Sequence, residues 1–310
     1  MSAQAERASA VGRPPPADFA LMAVGVAAVS TAAPLIAATA ASALAIAFWR
    51  NALAVVAIGP YVAVRRRGEL AGLPRRQRTL TLAAGALLAA HFATWVPSLR
   101  FTSVASSTAL VALQPVWTLM AANRLGQHVP RRAWWGVAVA LSGVVLLTGV
   151  DLALSRAALV GDLLALVGGF FAAMYVTVGA RVRRDLSTAS YTLVCYGVCA
   201  VLLGALCLAG GQQLTGYSTD TWLKLAALTV GAQLLGHSVF NLVLRTTSPT
   251  VVSLALLFEM PGAALIAALW LGQRPPWGIV PAAGLILAGV AIVVSSGPAA
   301  PPSGHPLPPQ

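Results

Sequence analysis

Two ionisable side chains interrupt long apolar stretches of this sequence, and each needs a chemical reason to be there. They are Arg50 and Glu259. A charge at the centre of a membrane helix costs about 2.5–3.5 kcal/mol on insertion scales, so such residues are usually paired or functional. The planar guanidinium of Arg50 suits a substrate carboxylate or phosphate, or the carbonyls of a neighbouring helix. Glu259 can carry a proton across a membrane or act as a structural partner. Both interpretations of each residue stay open.

Histidines and neighbouring polar side chains form a second candidate site. His91 and Trp95 are one helical turn apart and share a face. Gln233, His237 and Asn241 are spaced by four and form one polar stripe through apolar surroundings. When the two halves of the sequence are aligned, His91 and His237 match to within one position. We favour a cavity that holds a polar ligand, and contacts between helices are the alternative.

Prolines at matched positions predict bends near the same cavity. Pro115 and Pro261 both lie inside apolar stretches. A proline inside a membrane helix frees a carbonyl and permits bending. We predict that the two prolines are hinges, and kinks that serve only packing are the alternative. Gln114, Trp117 and Tyr175 are expected to line the substrate pathway.

The elements that must position these residues are long apolar helices. The chain has 310 residues, of which 58% are hydrophobic and 9% are charged, a balance that is not typical of a soluble domain. A helix needs about 20 apolar residues to cross a membrane. We therefore predict an all-α, polytopic membrane protein with ten transmembrane helices. Their predicted bounds are 18–38, 43–64, 79–99, 104–123, 133–150, 159–180, 189–209, 222–243, 249–270 and 278–296.

The two halves of the sequence resemble each other. The segment 107–144 aligns without a gap on 253–290, so that Pro115 falls on Pro261, 146 positions later. Each half holds five predicted helices, an odd number, so the second half enters the membrane from the opposite side. Such inverted repeats around a central site are typical of carriers. The predicted organisation is a disordered tail over 1–17, repeats over 18–150 and 151–297, and a proline-rich disordered tail over 298–310.

The net charge of +12 indicates membrane orientation rather than nucleic-acid binding. If the N-terminus is cytoplasmic, fifteen basic residues lie on that side and four on the other, which is the positive-inside pattern. The fifteen are Arg7, Arg13, Arg65, Arg66, Arg67, Arg75, Arg76, Arg78, Arg124, Arg131, Arg132, Arg181, Arg183, Arg184 and Arg245. The four are Arg100, Arg156, Lys224 and Arg274.

Several enzyme classes lack their motifs in this sequence. Lys224 is the only lysine, so no GxxxxGK phosphate-binding loop exists, and neither HExxH nor GxSxG occurs. Cys195, Cys199 and Cys207 lie in one apolar stretch and are better explained by packing than by metal binding. We predict neither a metal nor a cofactor. A membrane enzyme acting on a lipid-linked substrate and a non-transporting scaffold are the alternatives to a carrier.

Five segments together carry a family resemblance that spans the chain between its tails. They read "AFWRNALAVV", "TSVASSTALVALQPVWTLM", "WWGVAVALSGVVLLTG", "LFEMPGAALIAALWLGQ" and "GLILAGVAIVV". On these segments the chain resembles the drug/metabolite transporter superfamily, specifically its ten-helix EamA-type permeases. The resemblance implies movement of small organic metabolites, often outward, across the cytoplasmic membrane. It also implies a central cavity and dimer contacts through the fifth and tenth helices.

The sequence departs from the family pattern at the ends of the fourth and ninth helices. The family usually has Gly-Glu there, whereas this chain has Gly126-Gln127 and Gly272-Gln273. Glutamine keeps the hydrogen-bonding role but loses the charge.

From the repeats, the charge distribution and the resemblance together, we predict a secondary transporter, an exporter of metabolites such as amino acids, that lies in the lipid bilayer as a homodimer.

The charge distribution predicts that both termini are cytoplasmic. A reporter enzyme that is active only outside the cytoplasm, fused to either end of the chain, should be inactive. Activity from either fusion would overturn the orientation.

Overall fold

The computed structural model describes residues 16–124, 126, 128–182, 186–236, 239–240, 243 and 255–296. Every regular element within these ranges is helical. The helices are α1 (Pro16–Ser30), α2 (Ala32–Ala38), α3 (Ala43–Arg65), α4 (Arg67–Ala71), α5 (Arg75–Ser98), α6 (Val104–Val111), α7 (Gln114–Arg124), α8 (Arg131–Leu154), α9 (Arg156–Val182), α10 (Thr188–Ala209), α11 (Thr219–Ala227), a π-helical segment (Leu228–Gly236), α12 (Glu259–Trp270) and α13 (Ile279–Ser296).

Eight segments of the described chain are long and apolar enough to cross a membrane. They correspond to the first seven predicted spans and the tenth. Two of them are each built from a pair of helices, α1 with α2 and α6 with α7. The predicted spans 222–243 and 249–270 are described only in part, by α11 with the π segment and by α12. The protein is therefore a multi-pass helical membrane protein, and the total of ten spans stays a prediction.

Serine side chains fix where four of the helices begin. In each case the hydroxyl oxygen accepts a hydrogen bond from a backbone N–H three residues later, which satisfies a donor that the helix itself leaves unpaired. The four serines are Ser42, Ser103, Ser187 and Ser218.

Helix breaks precede both of the matched prolines. α6 ends at Val111 and α7 begins at Gln114, one residue before Pro115. In the second half, a turn at 257–258 comes directly before α12, whose third residue is Pro261. Proline has no N–H to donate and its ring clashes with the carbonyl four residues earlier, which explains an interruption at these points.

Several contacts between a helix of the first half and a helix of the second half have a counterpart between the two matching helices. α5 of the first half packs against α9 of the second, and their equivalents, the π segment and α1, also pack together. α3 packs against its own equivalent, α10, and α8 packs against α13 in the same way. Each of these contacts therefore has a counterpart between the matching helices of the two halves.

The outer surface of the helices is apolar. Leu269 is 79% exposed, Val64 76%, Trp135 72%, Val145 72% and Val201 71%. Large apolar groups at such exposure are costly in water and favourable in hydrocarbon. The exposed side chains therefore mark the face that contacts lipid.

Glu69 ties the arginine-rich connection between α3 and α5 to the start of α10. Its Oε2 accepts hydrogen bonds from the Ser187 hydroxyl at 2.5 Å and the Ser187 amide at 3.3 Å, and its Oε1 pairs with Arg66 at 2.8 Å. The Ser187 hydroxyl first, with further donors from Ser190 and Arg66, lowers the pKa of Glu69 from 4.5 to about 2. Because the folded-state pKa is depressed, this tie is fully present above about pH 4.5 and is lost as the pH falls toward 2.

Helices α8 and α13 are antiparallel and touch through their backbones. A Cβ atom added at Gly136 would lie 2.7 Å from the Gly289 carbonyl oxygen. One added at Gly143, two turns later in α8, would lie 2.8 Å from the carbonyl oxygen of Ala282, two turns earlier in α13. Small residues permit this close approach, which is how membrane helices gain packing energy without a hydrophobic effect between them.

We expect Gly136→Ala and Gly289→Ala to destabilise the protein by about 1–3 kcal/mol, because each new methyl group meets backbone that cannot move aside. Gly149→Ala and Gly284→Ala are matched controls in the same two helices. A Cβ at either control position meets nothing within 4 Å. Thermal unfolding in detergent measures the difference, and equal midpoints for the two sets would contradict the close contact.

Candidate functional site

The centre of the described structure holds a buried polar network that joins both halves of the chain. Arg50 and Asn51 come from α3, and Gln233 comes from the π segment. The Arg50 Nε donates to Gln233 Oε1 at 2.6 Å, and Gln233 Nε2 donates to Asn51 Oδ1 at 3.2 Å. Asn51 Nδ2 donates to the Ala47 carbonyl at 2.8 Å. Arg50 is 3% exposed, Asn51 0% and Gln233 2%, so protein groups have replaced water as their partners.

The π-helical segment places Gln233 against α3. Residues Leu228, Thr229, Ala232, Gln233 and Gly236 of this segment are buried. A π-helix has wider turns than an α-helix, and π turns occur often at functional sites. The sequence pattern of four-residue spacing predicted an ordinary helix here, so the wider turn is a difference from the prediction.

An aromatic group lies beside the guanidinium. The Arg50 Cζ atom is 4.4 Å from the centre of the Phe92 ring, a cation–π distance. The Phe92 and Trp95 ring centres are 6.3 Å apart, and His91 stacks on Trp95 at 5.4 Å with 14° between the rings. The His91 Nδ1 contacts the Gly168 carbonyl oxygen at 2.9 Å, which fixes the imidazole against α9.

Two buried donors in this group make no hydrogen bond within the described chain. They are the Arg50 Nη1 and the Trp95 Nε1. A buried donor without a partner costs about 1–3 kcal/mol, and more when it is charged, so nearly all such groups in proteins find an acceptor. Both groups are donors only. The arrangement therefore suits a ligand that brings oxygen acceptors.

Glu259 lies near this network as the first residue of α12. Its side chain lies close enough to that of Arg50 to interact with it electrostatically, and the ion pairs among the described residues do not include these two. The Ser30 hydroxyl donates to the Glu259 backbone carbonyl at 3.3 Å, which holds the start of α12 against α1. An acidic residue in the first turn of a helix is favoured by the helix dipole.

The remaining candidates from the sequence lie in different places. Tyr175 stacks on Tyr191 with ring centres 6.1 Å apart and belongs to the same apolar cluster as Trp95. Trp117 belongs to a second cluster, meets Phe170 edge-on at 5.9 Å, and lines an apolar cavity of about 300 Å³. The Gln114 side chain makes no hydrogen bond to any described residue. His237 and Asn241 fall outside the described residues, so the predicted histidine pair is not tested.

Three members of the site were not among the sequence candidates. Asn51 was detectable as a polar residue next to Arg50 in an apolar stretch. Phe92 and Tyr196 gave no signal, because aromatic residues are common in membrane helices. Phe92 contacts Arg50, and Tyr196 lies close enough to interact with it electrostatically.

The second Gly-Gln pair has a structural role at the junction of the two halves. The Gln273 Oε1 accepts a hydrogen bond from the Val104 amide at 3.2 Å, which caps the start of α6. Gly272 precedes it with a φ of 66°, a conformation that glycine adopts without strain. Gln127 of the first pair lies outside the described residues. Gln273 therefore supplies a hydrogen bond where a glutamate would also have supplied charge.

Comparison with known proteins agrees with this architecture. A family model described as the EamA-like transporter family matches residues 17–149 and 159–295, one match in each half. A solved crystal structure, described only as that of a protein, aligns with a TM-score of 0.62 at 15% identity, over 89% of this chain and 96% of its own. At that identity the likeness concerns the fold alone. No functionally curated protein matches the sequence significantly.

We expect Gln233→Leu to destabilise the protein by about 1–3 kcal/mol, because it leaves a buried guanidinium and the Asn51 oxygen without their partners. Thr229→Val is the matched control in the same segment. The Thr229 hydroxyl is also buried, and its one hydrogen bond within the described residues goes to the Leu225 carbonyl in the adjoining α11. Thermal unfolding in detergent compares the two variants, and equal midpoints would show that the network carries little stability.

Proposed function

Because the chain belongs to the EamA-like transporter family, whose model covers both of its halves, we propose that it is a secondary transporter of the cytoplasmic membrane. It moves small organic metabolites outward by alternating access. The observation that carries the proposal is the buried network of Arg50, Asn51 and Gln233, which joins the two halves at the centre. Sites of alternating-access carriers lie at such repeat interfaces.

The substrate carries a carboxylate, and amino acids fit best. The Arg50 Nη1 and Trp95 Nε1 are buried donors without acceptors in the described chain, and a carboxylate offers two oxygens to such donors. Glu259 lies near Arg50 without pairing with it. Arg50 would therefore bind the substrate carboxylate, and Glu259 stays free for a role in proton coupling.

The inverted repeat supplies the alternation between the two membrane sides. The antiparallel contact between α8 and α13 and the exchangeable helix pairs support two units of opposite orientation. If one unit rocks against the other, the central site opens first to one side and then to the other.

Uptake of radiolabelled amino acids into proteoliposomes tests the proposal. Substrate-dependent flux should appear with the wild type and fall at least about tenfold with Arg50→Gln. Arg156→Gln is the control, since Arg156 lies at the start of α9 outside the central site. A protein that is folded but moves none of a panel of amino acids and organic acids would contradict the assigned substrate class.

Glu259 is expected to couple transport to protons. The Glu259→Gln variant keeps the shape and hydrogen bonding of the side chain but cannot titrate. It should abolish accumulation driven by a pH gradient while it spares exchange of substrate for substrate. If wild-type flux ignores an imposed pH gradient, Glu259 has no coupling role.

Pro115 and Pro261 are expected to act as hinges. Each follows a helix break, and alanine at these positions would let the helices continue. We expect Pro115→Ala and Pro261→Ala to slow flux several-fold while substrate affinity changes less. Binding and flux are measured separately, and unchanged flux in both variants would exclude hinges at these prolines.

A further inference from the structure

A polar cavity of about 600 Å³ lies at the membrane face opposite the arginine-rich connection. It lies beside the start of α3, whereas the arginines follow the end of that helix. Its polar lining includes Thr39, Ser42, Arg100, Gln212, Tyr217 and Thr221, and its lining residues include no carboxylate. We call it the outer vestibule. Its size is that of a site for a small molecule.

Arg100 gives the outer vestibule its charge. One end of its guanidinium, Nη2, donates to the carbonyls of Thr39 at 3.0 Å and Ala41 at 2.8 Å. Its other N–H groups make no hydrogen bond to any described residue and remain available to a ligand. Arginine presents its donors in a rigid fork that matches carboxylate and phosphate oxygens.

The nearby charges do not cancel that of Arg100. Asp220 and Lys224 lie on α11, next to the lining residue Thr221. They pair with each other at 2.7 Å, and the Lys224 Nζ also donates to the Ala38 carbonyl at 3.3 Å. The net positive charge at the cavity is therefore that of Arg100.

The walls of the outer vestibule are held in place before any ligand binds. The Ser42 hydroxyl donates to Gln212 Oε1 at 2.6 Å, and the Trp49 indole donates to the Leu214 carbonyl at 2.8 Å. These two bonds fix the connection between α10 and α11 onto the start of α3. A preformed site loses little affinity to ordering its own groups.

We propose that the outer vestibule binds small organic anions through Arg100 and forms an outer station for the solute that Arg50 releases. Ser42 caps the start of α3, and Arg50 lies eight positions further along, which is about 12 Å along a helix. The role as a station in transport rests on the proposed function, whereas the binding of an anion at Arg100 does not. A soluble carboxylate and an anionic lipid headgroup offer the same chemistry to this site.

A cysteine introduced into the cavity reports its electrostatic potential, and the experiment does not require the substrate to be known. Gln213 is an exposed lining residue, and Gln213→Cys places a thiol there. The three native cysteines are fully buried, so the wild type gives the background rate. When each rate is divided by that of the same reagent with a small free thiol in solution, an anionic methanethiosulfonate should be favoured over a cationic one of equal size, because the thiolate itself attracts cations. Adding Arg100→Gln should lower the ratio of the two rates at least about fivefold.

Two controls keep this result specific. Arg100→Lys keeps the charge and should keep most of the ratio, and thermal unfolding shows that each variant is folded. Arg156→Gln removes the same charge from a residue that does not line the cavity and should leave the ratio within about twofold. An unchanged ratio in folded Arg100→Gln, or no preference for the anionic reagent, would overturn the proposal.

Protection of the same thiol identifies the source of the anion. Succinate or inorganic phosphate, added to the detergent-solubilised protein, should slow its reaction with a neutral maleimide and should not do so in Arg100→Gln. The thiol could instead be protected only by lipid, in vesicles that contain phosphatidylglycerol and not in vesicles of phosphatidylcholine alone. That result would support the anion site but overturn its role as a solute station. Protection by neither would overturn the site. None of these outcomes depends on measured transport.

Discussion

The burial of one guanidinium is the constraint on which the centre of this protein depends. A charge in the membrane interior is costly unless protein groups replace water around it. For Arg50 the replacements are the Gln233 oxygen and the face of Phe92. The Arg50 and Phe92 side chains come from helices of the first half, and Gln233 comes from the second. The charge is therefore accommodated only when the two halves are packed together, which makes the central network both an interface and a site.

Hydropathy and charge were enough to predict most of the fold. The predicted span 43–64 is the helix Ala43–Arg65, and 189–209 is Thr188–Ala209. Such boundaries follow from the apolar length that a membrane requires and from the arginines and serines at helix ends. The family assignment also follows from local segments. The π turn around Gln233 was not predictable, because its sequence has the same spacing of apolar and polar residues as an α-helix.

The site was predictable as a set of residues but not as a set of contacts. Arg50, Trp95 and Gln233 stand out as polar or aromatic groups in apolar stretches, and the structure brings them to one region. Which helix faces which cannot be derived from periodicity, and this explains why Trp117 was expected beside them although it belongs to another cluster. The outer vestibule was not predictable from the sequence for a related reason. Its walls are turns and helix ends that are far apart in the sequence.

The glycine contact between α8 and α13 has the symmetry of an interface between two identical copies. Gly136 meets Gly289, and Gly143 meets Ala282. In the alignment of the two halves, Gly136 matches Ala282 and Gly143 matches Gly289. The two pairs are therefore equivalent, and each half presents the same surface to the other. A contact of this kind, in which each partner presents the same surface, is the geometry of an isologous interface. The contact between α8 and α13 therefore has the symmetry of a homodimer interface, although both of its surfaces belong to one chain.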